Sequence, residues 1–142
     1  MGSPEPGDGA ADDRLPVIWD DYILFAGGLA GERSEASQRS AISRAYYGAF
    51  NLARRWVEAH VEPIENRAAH KQVWKAFKRS ERASESTRLK WKLVGDLGDT
   101  LRLLRNQADY ADDLLDLDRH APEAVARARR ILTLLAELET VD

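Results

Sequence analysis

The sequence predicts an all-α fold, an up-and-down bundle of four to five helices. Three observations carry this. From Pro16 onward, apolar residues recur every three or four positions almost throughout. Alternation of period two, the mark of a half-buried strand, is absent. Glycines and prolines interrupt the helical rhythm at only a few places, dividing it into segments. A chain of 142 residues suits one domain, and its 44% hydrophobic and 32% charged content suffices to bury a core.

The segments follow in order. Residues 1–13, rich in Gly, Pro and Asp, hold almost nothing to bury and read as a disordered tail, leaving residues 14–142 as the helical domain. Leu15-Pro16 opens a first helix to about Leu29, with Trp19, Tyr22, Ile23 and Ala26 on one face. Ser34 is a candidate N-cap for the longest helix, whose stripe of Ile42, Ala45, Tyr46, Ala49, Ala53, Trp56, Val57 and His60 ends near Glu62-Pro63. A third helix starts near Arg67 and buries His70, Val73, Trp74 and Phe77, and Ser80–Thr87 reads as a loop. The fourth spans Arg88 to about Leu115 with a stripe of Leu93 or Val94, Leu97, Leu101, Leu104, Ala108 and Ala111. Gly95 and Gly98 cost that helix roughly 1 kcal/mol each relative to Ala, so a closely packed neighbour is expected there. Asp118 to Pro122 reads as a break, with Pro122 in the first turn of a fifth helix carried by Ala124, Ala128, Ile131, Leu135 and Leu138.

Composition removes several functions. Zero cysteines exclude disulfides, a thiolate nucleophile and Cys-ligated metals, and three histidines leave little for a histidine metal site. No phosphate-binding glycine loop or Ser–His–acid order is present, so neither a cofactor nor a metal is implied. No apolar run approaches the ~18 residues of a membrane span, and a cytoplasmic protein without membrane partners is the expectation. The formal charge of -3 hides an uneven distribution: residues 1–32 carry -6, residues 33–92 carry +8 and residues 93–142 carry -5.

Two helices contain polar groups that a bundle does not require. Arg44 and Tyr47 share a face of the second helix, and Arg105 and Asp109 are spaced to pair on the fourth, next to Tyr110. Such a pair is common on ordinary helix surfaces and contributes a few tenths of a kcal/mol, so spacing alone leaves a structural role open.

The runs Arg39–Phe50 (RSAISRAYYGAF), His70–Phe77 (HKQVWKAF) and Leu104–Tyr110 (LRNQADY), in that order, resemble a prokaryotic HEPN domain. The similarity covers about Trp19 to Leu138 and is nearest to a small stand-alone branch with Ser-Arg-x-Tyr-Tyr and Arg-x-x-Ala-Asp-Tyr helices. It implies a four- or five-helix bundle that forms a homodimer. In HEPN ribonucleases, an Arg followed about four to six residues later by a His cuts RNA without a metal in a cleft shared by two protomers. The guanidinium binds the scissile phosphate and the imidazole moves protons. Arg105 falls on the motif arginine, and Tyr110 stands where the His is expected. A tyrosine, titrating ordinarily near ~10, is a poor base at neutral pH, which leaves Asp109 as a weak one. HEPN toxins paired with nucleotidyltransferases carry a further tyrosine two residues on, where this chain has Asp112.

The resemblance therefore implies Arg105, Asp109 and Tyr110 as the catalytic set. Arg44, Tyr47, His70, Lys71 and Lys75 are the candidate binding residues. His60 reads as a core-edge residue and His120 as a loop residue or cap, whereas His70 opens the third helix among Arg67, Lys71 and Lys75. Nine bases over residues 67–92 suit a phosphate backbone and equally an acidic protein surface, including the acidic 93–142 segment of a second copy. The expected function is a homodimeric RNA- or nucleotide-binding module of toxin–antitoxin or defence type, with metal-independent RNA cleavage as its enzymatic form. A nucleotidyltransferase or another protein is a candidate partner. The alternative is a non-catalytic dimerisation and partner-binding domain.

Overall fold

The computed structural model describes residues 18–79, 81 and 83–140. The tail over residues 1–13, the helix opening at Leu15-Pro16, and Ser80 and Arg82 of the expected loop lie outside them. Five helices run in order: α1 (Trp19–Ala30), α2 (Glu35–His60), α3 (Ala69–Arg79), α4 (Arg88–Tyr110) and α5 (Leu117–Glu139). A 3-10 turn at Asn66–Ala68 leads into α3, and no strand occurs among the described residues.

Helix α2, 26 residues and so about 39 Å long, is the spine against which every other helix packs. Its start is fixed as the sequence indicates: the Ser34 side chain accepts a hydrogen bond from the Ser37 N–H at 3.0 Å. The stripe of α2 supplies Ala41, Ile42, Ala45, Tyr46, Ala49, Ala53 and Val57 to the core, all at most 1% exposed. Small residues on this stripe let α1 and α5 approach closely. A Cβ built on Gly48 would lie 2.8 Å from Ile23 Cγ1 and 2.9 Å from the Trp19 carbonyl.

The glycines of α4 face α3, the neighbour their cost implied. A Cβ on Gly98 would fall 2.1 Å from Cε3 of Trp74, and one on Gly95 would meet the Trp74 carbonyl at 3.0 Å. Val94 rather than Leu93 faces the core: Val94 is buried, whereas Leu93 is 38% exposed.

The connection from α4 to α5 departs from expectation. Helix α4 stops at Tyr110 rather than near Leu115, because Ala111 turns to an extended backbone (φ -79, ψ 134). Arg39, from the first turns of α2, holds that end. Its Nη1 donates to the carbonyls of Ala108 (2.9 Å) and Ala111 (2.8 Å) and its Nη2 to that of Asp112 (3.2 Å), while its Nε pairs with Glu35. A cation thus caps the carbonyl end of α4, where the helix dipole favours positive charge. Helix α5 begins at Leu117, so Asp118 to Pro122 is helix and not a break. Asp116, in the left-handed region at φ 55, is the N-cap, and its carbonyl accepts from the N–H groups of Arg119 and His120. Burial of Leu117 and Ala121 continues the α5 stripe backwards through this turn. Pro122 lies inside α5 on its exposed side, where its missing N–H removes one backbone hydrogen bond. His120 accordingly sits on α5, half-buried and 3.3 Å from Glu123, rather than in a loop.

The two glycine environments give opposite expectations for alanine. Gly98→Ala forces a methyl group into the Trp74 ring and is expected to destabilise the fold by about 2 kcal/mol or more, outweighing its helix-propensity gain. Gly28, with nothing within 4 Å of a built Cβ, is expected to gain about 0.5 kcal/mol as Gly28→Ala. Urea unfolding of both variants reads the contrast, and equal shifts would contradict the packing described.

Candidate functional site

Helices α2, α3 and α4 meet around the side chain of Tyr46, which is fully buried. A buried phenol needs hydrogen-bond partners, and α3 provides both. Trp74 Nε1–H donates to Tyr46 Oη at 3.1 Å, and Oη lies 2.6 Å from His70 Nδ1. The arrangement that leaves no buried proton unpartnered has the Tyr46 hydroxyl donating to Nδ1, which puts the proton of a neutral His70 on Nε2. The ring of His70 is held flat against Phe50, with centroids 4.0 Å apart and 15° between planes. Burial lowers the His70 pKa to about 4, reinforced by the positive charges of Arg105, Arg102 and Arg54. Burial also pushes the Tyr46 phenol up to about 12. At neutral pH both groups are uncharged.

Arg105 enters the cluster from α4. Its guanidinium carbon sits 5.3 Å from the Tyr46 ring centre and 5.2 Å from that of Tyr47, a cation over two aromatic faces. Only 8% of Arg105 is exposed, and its Nη1 stands 3.5 Å from Asp109 Oδ2. The Nε atoms of Arg105 and Arg102 are buried without a hydrogen-bond partner among the described residues. Arg54 of α2 reaches the Asn66 side chain at 2.7 Å, ahead of α3.

Outside this buried layer lies a polar cleft of about 350 Å³ where α1, α2 and α4 meet, lined by Tyr22, Ser40, Ser43, Arg44, Tyr47 and Asp109, with Arg39 at its edge. Tyr47 and Asp109 connect cleft and cluster. Arg44 is exposed, its guanidinium 5.1 Å from the ring centre of Phe25.

The structure thus gathers Arg105, Tyr47 and His70 in one cluster and Arg44, Tyr47 and Asp109 around one cleft. Tyr110 joins neither: it is 76% exposed and ends α4 on a different face from Arg105. Lys71 and Lys75 lie exposed on the outer side of α3. Of the remaining bases in residues 67–92, Lys78 pairs with Asp99, Arg79 with Glu62, Lys90 with Glu137 and Lys92 with Asp96. The acidic C-terminal third therefore neutralises part of the basic middle within one chain. His60, expected at the core edge, is exposed and stacks on Trp56.

Four residues central to the site are not among the candidate site residues: Arg39, Tyr46 and Trp74, although all three lie within the resembling runs, and Arg102, which lies outside them. Tyr46 and Trp74 read as core by spacing. The doubled tyrosine is the signal that could have found Tyr46, since adjacent helix positions face different directions. Among the described residues, no three His, Asp or Glu side chains gather where they could share a metal ion, and no helix is long and apolar enough to cross a membrane. A second, more apolar hollow of about 370 Å³ between α2 and α5, with Trp56 and His60 on its wall, shares no residue with the motif cluster. No family model, curated protein or solved structure matches the chain.

The His70 environment fixes a pH response. An unfolded His70 titrates near ~6.5 and the folded one near 4, so the unfolded chain takes up the proton first as pH falls. The contribution of neutral His70 to stability is intact above pH ~6.5 and declines as pH falls toward 4. His70→Asn, which keeps an acceptor for the Tyr46 hydroxyl, is expected to remove this part of the slope in urea titrations between those limits. An unchanged slope would show that His70 is not held neutral by burial.

Proposed function

We propose that the chain is a HEPN-like module that binds RNA or a nucleotide, acts as a homodimer, and belongs to a toxin–antitoxin or defence type of system. One observation carries the reading: the three runs that bear the resemblance meet at a single point. Tyr46 of the first run meets Tyr47 beside it, His70 and Trp74 of the second and Arg105 of the third. Packing alone would be served by apolar side chains at these places. A cationic seam beside the cleft of Arg44 and Ser43 is suited to a phosphate-bearing ligand, and on the neighbouring helix Lys71 and Lys75 pair with no carboxylate among the described residues.

The same geometry favours binding over cleavage. General acid–base catalysis needs a group that exchanges a proton near neutral pH. His70 titrates near 4 and gives its Nδ1 to Tyr46, while Tyr110 is turned away from Arg105. This also supports the second reading, a non-catalytic dimerisation and partner-binding domain. Leu89, Leu103 and Tyr110, at 80%, 60% and 76% exposure, fall at heptad intervals along the outer face of α4, a pattern that suits helix-to-helix association.

RNA binding is tested by fluorescence polarisation with labelled single-stranded RNA over a salt series. Wild type is expected to bind with a negative salt slope, and Arg44→Ala to weaken binding severalfold without moving the melting temperature. No binding at about 50 mM salt would leave the partner-binding reading. Incubation of RNA in EDTA tests cleavage: 2′,3′-cyclic phosphate ends, lost in Arg105→Ala, would make the protein a nuclease. For the dimer, Leu103→Glu is expected to yield monomers in sedimentation velocity, and a wild-type monomer would remove the α4 surface from the reading.

A further inference from the structure

The charges at the junction of α2, α3 and α4 do not balance. Arg102 and Arg105 stand three residues apart on α4, so their side chains project from one face. Both bury an Nε that has no hydrogen-bond partner among the described residues. Among the described residues no carboxylate pairs with Arg102, and Arg105 has only Asp109, at 3.5 Å. Arg54 adds a third guanidinium, engaged with the neutral Asn66 and more distantly with Glu58 at 3.5 Å. Neighbouring like charges repel, and each buried Nε–H without a partner adds a desolvation cost. An anion seated among them removes both penalties.

We infer that this junction is a seat for a phosphate group, held by Arg102 and Arg105, with Arg54 and the Nε2–H of His70 completing its donors. The inference deepens the RNA- or nucleotide-binding reading above and rests on it for the source of the phosphate. Phosphate fits better than carboxylate because the donors come from three helices, whereas a carboxylate is matched by one guanidinium fork. His70 suits the role as a neutral donor. The Tyr46 hydroxyl occupies Nδ1, so Nε2 keeps its proton and the imidazole adds no fourth positive charge. Arg102 and Arg54 belong to none of the three resembling runs, so the seat is broader than the motif arginine.

The test compares wild type and Arg102→Gln in phosphate-free buffer, with inorganic phosphate and with one oligoribonucleotide carrying either a 5′-phosphate or a 5′-hydroxyl. Phosphate is expected to raise the wild-type melting temperature by a few degrees and to shift the His70 imidazole resonances in a ¹H–¹⁵N spectrum. Arg102→Gln is expected to melt at or above the wild-type temperature without phosphate, to lose the phosphate response, and to bind about tenfold or more weakly. A purely structural Arg102 would instead lower the melting temperature in every buffer and leave the phosphate response, which overturns the inference. Preference for the 5′-phosphate marks a terminal group, and equal binding of both ends, lost in Arg102→Gln, marks an internal one. Oligoribonucleotides that bind wild type and Arg102→Gln alike overturn the seat and leave the RNA reading standing. Phosphate binding that depends on Arg102, with no binding of either oligoribonucleotide, keeps the seat and ends the RNA reading.

Discussion

The hydroxyl of Tyr46 sets the constraint from which much of the structure follows. A phenol at zero exposure must find partners inside the protein, and both come from α3, through Trp74 and His70. This pins α3 against α2 in register and in rotation. Trp74 can reach that position only because α4 offers Gly98 and Gly95 where side chains would collide with it. The closeness of α3 and α4 in turn brings Arg102 and Arg105 next to the aromatic cluster. Packing, polarity and charge at this junction are therefore one arrangement rather than three.

The electrostatics have two tiers. On the surface, acidic residues of α4 and α5 neutralise bases from α3 and the start of α4, through pairs such as Lys90–Glu137 and Lys78–Asp99. Exposed pairs of this kind contribute little stability, but they remove positive charge from the side they occupy. Lys71 and Lys75 are left on the outer side of α3. Further in, the positive charges of Arg105, Arg102 and Arg54 act on an imidazole that burial keeps neutral. The positive character of the middle of the chain is thereby focused rather than spread.

Most of the fold was legible because the apolar stripes of α2, α3 and α5 are unbroken and the Ser34 cap is local. The α4–α5 boundary was not, since Ala111–Asp116 holds two leucines and continues the rhythm of a helix. What ends α4 is Arg39, about seventy positions earlier in the chain, and no local pattern encodes that. Pro122 misled in the opposite direction: it reads as the first turn of a helix, whereas α5 already begins at Leu117 and carries the proline inside it. At the site, Arg105, Tyr47 and His70 were legible as motif members, whereas Tyr110 turned outward. Helical spacing shows which residues share a face but not which face a neighbouring helix covers. The part played by Arg102 depends on where α3 lies, information that helix spacing does not contain.

The grip of Arg39 on the carbonyls of Ala108, Ala111 and Asp112 has a mechanical side. Helix ends ordinarily fray, and the last turn of α4 carries Asp109 beside Arg105. Tied to the first turns of α2, that turn opens only when the Arg39 bonds release. Its amide protons are then protected until those bonds break, rather than exchanging by free fraying. The α4–α5 connection thereby behaves as part of the spine: a pull on it is carried to the start of α2 before it reaches the aromatic cluster.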